Sequence, residues 1–269
     1  MARDRRPRYL QLAEELRGQI LRGKLPAGSP LPSATDLATT SGMSRTTVRH
    51  AIQLLREWGL VRGDEGRGTV VCPPRIRVRR HNIERYRWEK RRVHASEEER
   101  RATGGTEFDT GLTAQDLTFS ARYRTIPAPA DLAARLAVPP ETPLLERTYR
   151  TGARRADVPL SLSRSYLVYD MAAANPALLD ARNEPWPGGT QHQLFTLGIE
   201  IERIIDEITV RSPMPDETDV LRIAPGVPVL ILRKTSIDTA GRVVETAETI
   251  YPGDRVELVY GIDLPRWAR

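Results

Sequence analysis

The sequence predicts an α+β protein in two parts: a front domain of short helices closed by a small hairpin, and a rear domain built on a mainly antiparallel sheet with short helices. Length is the first observation behind this, since 269 residues give each half enough chain to bury its own core. Periodicity is the second. Apolar residues recur at three- and four-residue steps in the helical stretches up to residue 58, whereas from residue 116 they alternate with polar ones. Charge is the third: residues 1–92 hold 21 Lys and Arg against 9 Asp and Glu, and residues 93–269 hold 20 against 26. The expected boundaries are 1–74 for the front domain, 75–110 for a basic linker and 111–269 for the rear domain.

Residues 9–22 read as an amphipathic helix, because Tyr9, Leu12, Ala13, Leu16 and Ile20 share a face. Pro7 precedes it and Gly23 is placed to end it. Proline and glycine force residues 25–32 into an extended, turning connection. Ser33 is a good N-cap, with Asp36 in a capping-box-like position, for a short helix through Leu37 and Ala38. Residues 41–43 make a tight turn. Ser44 caps a helix over 45–58 that turns Val48, Ala51, Ile52 and Leu55 inward, and Gly59 is placed to cap its end. Two short helices across a glycine-containing turn make a helix-turn-helix. Residues 60–62 and 69–71 read as strands joined by a glycine-rich turn, which makes a wing.

The start of the second helix carries the chemistry. Ser44, Arg45, Thr46, Thr47 and Arg49 cluster in its first turns, the part of such a motif that meets base edges in the major groove of duplex DNA. Arg45 and Arg49 suit guanine O6 and N7, and the hydroxyls suit phosphates or base edges. In the wing, Gly66 and Gly68 allow close backbone approach and Arg67 suits a narrow minor groove. With Ser33, these are the candidate DNA-facing residues. The plainer alternative is a solvated helix end with ordinary caps. Charge alone equally suits RNA, anionic lipid or acidic protein.

Residues 75–92 are densely basic, with Tyr86 and Trp88 interleaved. They either follow DNA phosphates or form a solvated linker whose aromatics pack on the rear domain. Residues 96–101 read as a short exposed helix capped by Ser96 and stopped at Gly104 and Gly105. Strands follow over 117–123, 145–149, 160–168 and 204–210, with short helices over 131–137 and 216–223. Residues 229–237 and 243–251 form a hairpin around 239–241, and 256–262 are expected to close the sheet. Strands and helices do not alternate regularly, which argues for a mixed domain with a mainly antiparallel sheet.

Several classes are set aside. No apolar run approaches a membrane span, and no signal-peptide core follows the basic N-terminus, so the expected compartment is the cytoplasm. The single cysteine, Cys72, allows no intrachain disulfide and is expected to pack in a strand. His50, His81, His94 and His192 lack metal-ligand spacing, and no Gly-x-Ser-x-Gly elbow occurs, so neither a metal, a cofactor nor an enzyme activity is expected.

Pro7-x-Tyr9, Leu31-Pro32-Ser33, Ser44-Arg45-x-Thr47-Val48-Arg49, Ala51, Leu55, Gly59-Leu60-Val61 and Gly66-x-Gly68-Thr69-x-Val71 together resemble the DNA-binding domain of the GntR family of bacterial regulators. The family usually carries Glu and then Arg or another polar residue after Leu-Pro-Ser, where this chain has Ala34 and Thr35. The rear half resembles the UTRA ligand-sensing domain of the HutC-type branch, through residues 225–233, 238–245 and 251–255. The resemblance implies a fold similar to chorismate lyase, a homodimer, operator DNA as partner and a small acidic or phosphorylated effector. Arg147 matches the first arginine of a frequent Arg-x-Arg pair on a cavity-lining strand, and Tyr149 replaces the second, leaving one fewer guanidinium for an anion. The basic stretch and residues 184–190 and 233–238 also look like plasmid-transfer repressors of actinobacteria.

Alternation suggests a pocket built from Arg147 and Tyr149 on one strand, Glu207 and Thr209 with Ile205 and Arg211 on a second, and Thr246 and Glu248 on a third, followed by Tyr251 and Arg255. The alternative for each is a solvated sheet face with cross-strand pairs. Trp186 is either a lid or a loop anchor. The expected function is an effector-modulated, sequence-specific DNA-binding regulator that represses transcription. A repressor whose rear domain only dimerises, and a lyase-like enzyme, are the alternatives.

Overall fold

The computed structural model describes residues 6–64, 66, 68–72, 76–154, 158–265 and 267. The described chain divides into two compact units, the first comprising residues within 1–75 together with 224–227 and the second residues within 76–223 and 228–269.

In the first unit α1 (Arg8–Leu21), α2 (Ala34–Ser41) and α3 (Arg45–Glu57) precede a hairpin of β1 (Val61–Asp64) and β2 (Gly68–Val71). Local chemistry sets the boundaries. The Ser33 hydroxyl accepts from Asp36 N at 3.1 Å to start α2, and Gly42, at φ 63°, ends it in the left-handed region. Ser44 Oγ accepts from Thr47 N at 3.1 Å to start α3. Leu12, Leu16, Leu37, Val48, Ala51, Ile52, Leu55 and Val61 form one core, so the inward faces of all three helices and the wing meet. Pro30 bridges to Val70, and Leu31 N donates to Thr69 O at 2.7 Å, which lays the turning connection along the wing.

The second unit opens with β3 (Val78–His81), α4 (Asn82–Arg91), α5 (Glu97–Ala102) and α6 (Gly105–Thr110). Then come β4 (Leu117–Pro127), α7 (Ala130–Leu136), β5 (Pro143–Ala153) and β6 (Val158–Val168). After α8 (Tyr169–Ala173) and α9 (Gly189–Phe195) the chain enters β7 (Ile201–Arg211), α10 (Pro215–Leu221), β8 (Val229–Asp238), β9 (Val243–Pro252) and β10 (Val256–Val259). Six strands form one wholly antiparallel sheet in the order β4-β5-β6-β9-β8-β7. Two expectations are corrected. β10 does not close this sheet; it pairs in parallel with β3, Val256 opposite Val78. Residues 76–110 are not a linker either. Ile76 and Val78 pack with Leu117, Leu160, Leu232 and Tyr251, which draws this basic stretch into the core of the second unit.

Cross-strand register assigns the two faces. Tyr123, Arg147, Ser165, Ala247, Lys234 and Asp206 make one row across all six strands. Ala121, Tyr149, Ser163, Thr249, Leu232 and Ile208 make the next row on the same face. On the other face Leu144 is wholly buried with Ala128, Ala133 and Leu136, where α7 packs.

Candidate DNA interface and ligand cavity

The amphipathic α3 buries Val48, Ala51, Ile52 and Leu55 and leaves the other side of its first turns to solvent. Ser44, Arg45, Thr46 and Arg49 are exposed there, and Thr47 is half-buried. Ser44 and Thr47 also join their hydroxyls at 2.9 Å, so Ser44 is engaged in capping while both guanidiniums stand beside the positive end of the helix. Ser33 is exposed but holds Asp36 through both its cap and a 2.6 Å hydrogen bond to Oδ2. His50 meets Tyr9 edge to face at 6.0 Å. Gly66 and Gly68 are exposed at φ 84° and 77°, the left-handed backbone that the tight wing turn requires. Arg67 lies outside the described residues. Arg56 donates to Thr69 Oγ1 at 3.0 Å, which ties α3 to the wing. This arrangement leaves two guanidiniums and hydroxyls exposed at one helix end, the equipment for phosphate contact and major-groove readout.

In the second unit, one face of the sheet, α4, α6, α9 and the loop 184–190 enclose a cavity of about 400 Å³. A further space of about 190 Å³ adjoins it and shares Arg80, Arg85, Tyr86, Tyr149, Thr151 and Lys234. Aromatic rings of Trp88, Phe119, Tyr149 and Trp186 line the larger space. Ser161, Ser163, Ser165, Thr249 and Tyr251 line the smaller one.

The interior charges are matched in pairs. Lys234 Nζ lies 2.8 Å from Glu245, and Arg147 reaches the same carboxylate at 3.2 Å, Ser165 Oγ at 2.6 Å and Gln193 Oε1 at 2.5 Å. Burial disfavours the Glu245 charge, but Lys234 and Arg147 outweigh it and hold the carboxyl at about 2. Arg80 and Arg85 both reach Asp109 Oδ2. Burial lifts the Asp109 carboxyl above its ordinary range against the pull of these two guanidiniums. Glu184 is held from four sides: Tyr123 Oη, Tyr149 Oη at 3.0 Å and Gln193 Nε2 at 2.9 Å donate to Oε1, and Trp186 N donates to Oε2 at 2.6 Å. Burial pushes the Tyr149 phenol up, so it remains a donor at neutral pH.

The pocket expected from alternation needs correction. Tyr149 and Tyr251 do line the space, and Arg147 lies on the same sheet face but is wholly buried beneath it in chain contacts. Glu207 and Thr209 fall on the opposite face, where Glu207 pairs with Arg135 at 2.8 Å. Thr246 and Glu248 also lie there, with Arg233 2.8 Å from Glu248. Arg255 points away from the cavity and donates to the carbonyls of Pro159, Leu221 and Arg222 at 2.7–2.8 Å, a structural clamp. Sequence reasoning missed Arg80, Arg85, Asp109, Glu184 and Lys234. One signal was present: Ile76, Val78 and Arg80 alternate, a strand pattern within the basic run. Trp186 combines both roles foreseen for it, lining the cavity while its Nε1 donates to His192 Nδ1 at 2.9 Å.

Among the described residues no helix is long and apolar enough to cross a membrane, and no group of three or more His, Cys, Asp or Glu is placed to hold a metal ion.

Comparison with known proteins agrees with both halves. The profile of bacterial regulatory proteins of the gntR family matches residues 8–71, and that of the UTRA domain matches residues 120–257. The chain is 32% identical over 255 residues to the HTH-type transcriptional regulator RB1450 of Rhizobium meliloti, covering 93% of each. It is 26% identical over 261 residues to the HTH-type transcriptional repressor NagR of Bacillus subtilis, covering 96% of this chain and 95% of that one. A crystal structure of a GntR-family transcriptional regulator superposes with a TM-score of 0.62 at 26% identity, covering 97% of this chain and 99% of the other. PhnF from Mycobacterium smegmatis shares the fold, with a TM-score of 0.52 at 21% identity over 96% of this chain and all of that one. With a winged helix-turn-helix in front and a cavity-bearing antiparallel sheet behind, the chain belongs to the GntR family of DNA-binding transcriptional regulators, in its UTRA-domain branch, and not to the enzymes.

Proposed function

We propose that the protein is a cytoplasmic repressor that works as a homodimer, sets two copies of α3 into successive major grooves of a two-fold symmetric operator, and changes its hold on DNA when a small molecule fills the cavity of the second unit. The observation that carries this is the solvent-facing set Ser44, Arg45, Thr46 and Arg49 at the capped start of an otherwise buried helix. Thr47, Ser33 and the wing glycines Gly66 and Gly68 complete the contact surface, and Arg67 belongs to it by sequence. Two-fold symmetry follows from the geometry of such heads, whose half-sites fall about one helical turn apart. The effector couples to DNA only if it binds the two dimer arrangements unequally. The sheet-face cavity, with its aromatic walls and few convergent polar groups, has the character of a small-molecule site. Repression follows when a bound dimer excludes polymerase, and the Bacillus relative NagR is itself a transcriptional repressor.

Genome-wide mapping of bound sites tests the proposal. The expected result is a small set of sites sharing an inverted repeat, each protected in a footprint by the purified protein as a dimer. Sites without symmetry, or no binding to duplex DNA at modest ionic strength, would overturn it.

A further inference from the structure

This inference rests on the cavity being the effector site and names the kind of molecule that fills it. We propose that the effector enters as an uncharged aromatic molecule that donates an O–H or N–H hydrogen bond to Asp109, and that phosphate esters are excluded.

The deep cations are already engaged, save Arg147 Nε, which is wholly buried and outside the cavity wall. Arg80 and Arg85 share Asp109 Oδ2, Arg85 Nε also lies 2.9 Å from Glu89, and Lys234 and Arg147 share Glu245. A phosphate dianion would have to draw its counter-charges from these pairs and strand a carboxylate, the costly way to break a buried ion pair. Arg92 and Arg100, also in the wall, spend donors on backbone carbonyls: Arg92 on Glu99 and Thr103, Arg100 on Ala95 and Pro187. Arg92 in addition lies over the Trp88 ring at 4.2 Å. Three neutral donors are taken as well. Tyr123, Tyr149 and Gln193, which would suit an incoming acid, all converge on Glu184, so the chain supplies its own anion at that point.

One group asks for the opposite kind of partner. Asp109 Oδ1 is buried without a hydrogen-bond partner among the described residues, and its side chain is only 2% exposed in the wall of the smaller space. Buried polar atoms are normally satisfied. A phosphate dianion offers only acceptors and cannot satisfy this oxygen; a hydroxyl or N–H can. Phe119, Tyr149 and Trp186 then provide ring faces and edges for a flat molecule, beside Trp88, whose ring is covered by Phe108 and Arg92.

The full chain tests this in saturation-transfer NMR with phenol, 4-hydroxybenzamide, anisole and phenyl phosphate as probes. Phenol and 4-hydroxybenzamide are expected to bind saturably at roughly millimolar concentration, the affinity that such small ligands reach. Phenyl phosphate, with the same ring and a dianion, is expected to bind at least about tenfold more weakly, and anisole, which lacks the donor, about fivefold more weakly, the scale of one lost hydrogen bond. Ala247→Leu, which fills the smaller space, should abolish the phenol signal. Asp109→Asn should erase most of the preference for phenol over anisole while leaving anisole bound. Circular dichroism establishes that each variant is folded, and Ala247→Leu decides the matter should Asp109→Asn fail to fold. Phenyl phosphate binding as tightly as phenol would overturn the ligand class while leaving the cavity as an effector site. Anisole equal to phenol would overturn the role of Asp109. Saturable binding by none of the probes would overturn the inference, while the DNA-binding reading is tested separately by the genome-wide mapping.

Discussion

Ser44 fixes where α3 begins, and Arg45 depends on that placement. The Ser44 hydroxyl binds Thr47 N and so ends the preceding turn, which projects the next side chain into solvent from the first helical position. Replacing Ser44 by alanine removes the cap and should cost the first unit about 1 kcal/mol in denaturant unfolding. Replacing Arg45 by alanine should leave folding intact and weaken operator binding by about 1–3 kcal/mol with relaxed base preference, read by mobility shift on mapped and mutated sites. An unchanged affinity and footprint would remove α3 from the groove. Glu245 shows the other extreme of residue-scale chemistry, a carboxylate wholly enclosed and kept ionised by Lys234 and Arg147.

Elements formed by local rules were legible in the sequence, and those decided by distant pairing were not. The helix-turn-helix was readable because Ser33, Gly42 and Ser44 mark its ends by their own chemistry. Gly42 sits at φ 63° with open space where a side chain would go, so Gly42→Ala should cost only the left-handed strain, about 1 kcal/mol in thermal unfolding. The six strands of the large sheet lie where alternation places them, whereas β3 is hidden in the basic run; on β7, and for Thr246 and Glu248 on β9, alternation assigns the wrong face to the cavity. Both faces of β9 are polar, Glu245 and Thr249 on one and Thr246 and Glu248 on the other, so alternation gives two equivalent choices and only pairing with β6 and β8 decides. The basic run from 75 to 92 misled for a related reason. Its arginines suggested solvent, but Arg80 is enclosed by Asp109, Asn82 and Tyr86 on other parts of the fold or close by in the chain, partners that composition does not reveal.

At the scale of the whole molecule, the two units have different chemistry and should respond to different conditions. DNA binding through Arg45, Arg49 and the wing should fall steeply with added salt, since each phosphate contact releases counterions. The second unit should be sensitive to acid. Because the Glu245 carboxyl is held at about 2 against an ordinary value near 4.5, its stabilising contribution is complete above that ordinary value and is lost as the pH falls towards 2. Unfolding followed by tyrosine and tryptophan fluorescence should show that loss in this window, and Glu245→Gln should flatten it. The parallel pairing of β3 with β10 has a kinetic consequence. Asn82, just after β3, also bonds Tyr260, which is 178 residues further along the chain. Closing so long a loop is entropically slow and comes after nearer contacts form. The three-helix head, whose contacts are short in sequence, should therefore be complete while the sensor is still unfinished, so a newborn regulator passes through an interval in which it is deaf to its signal.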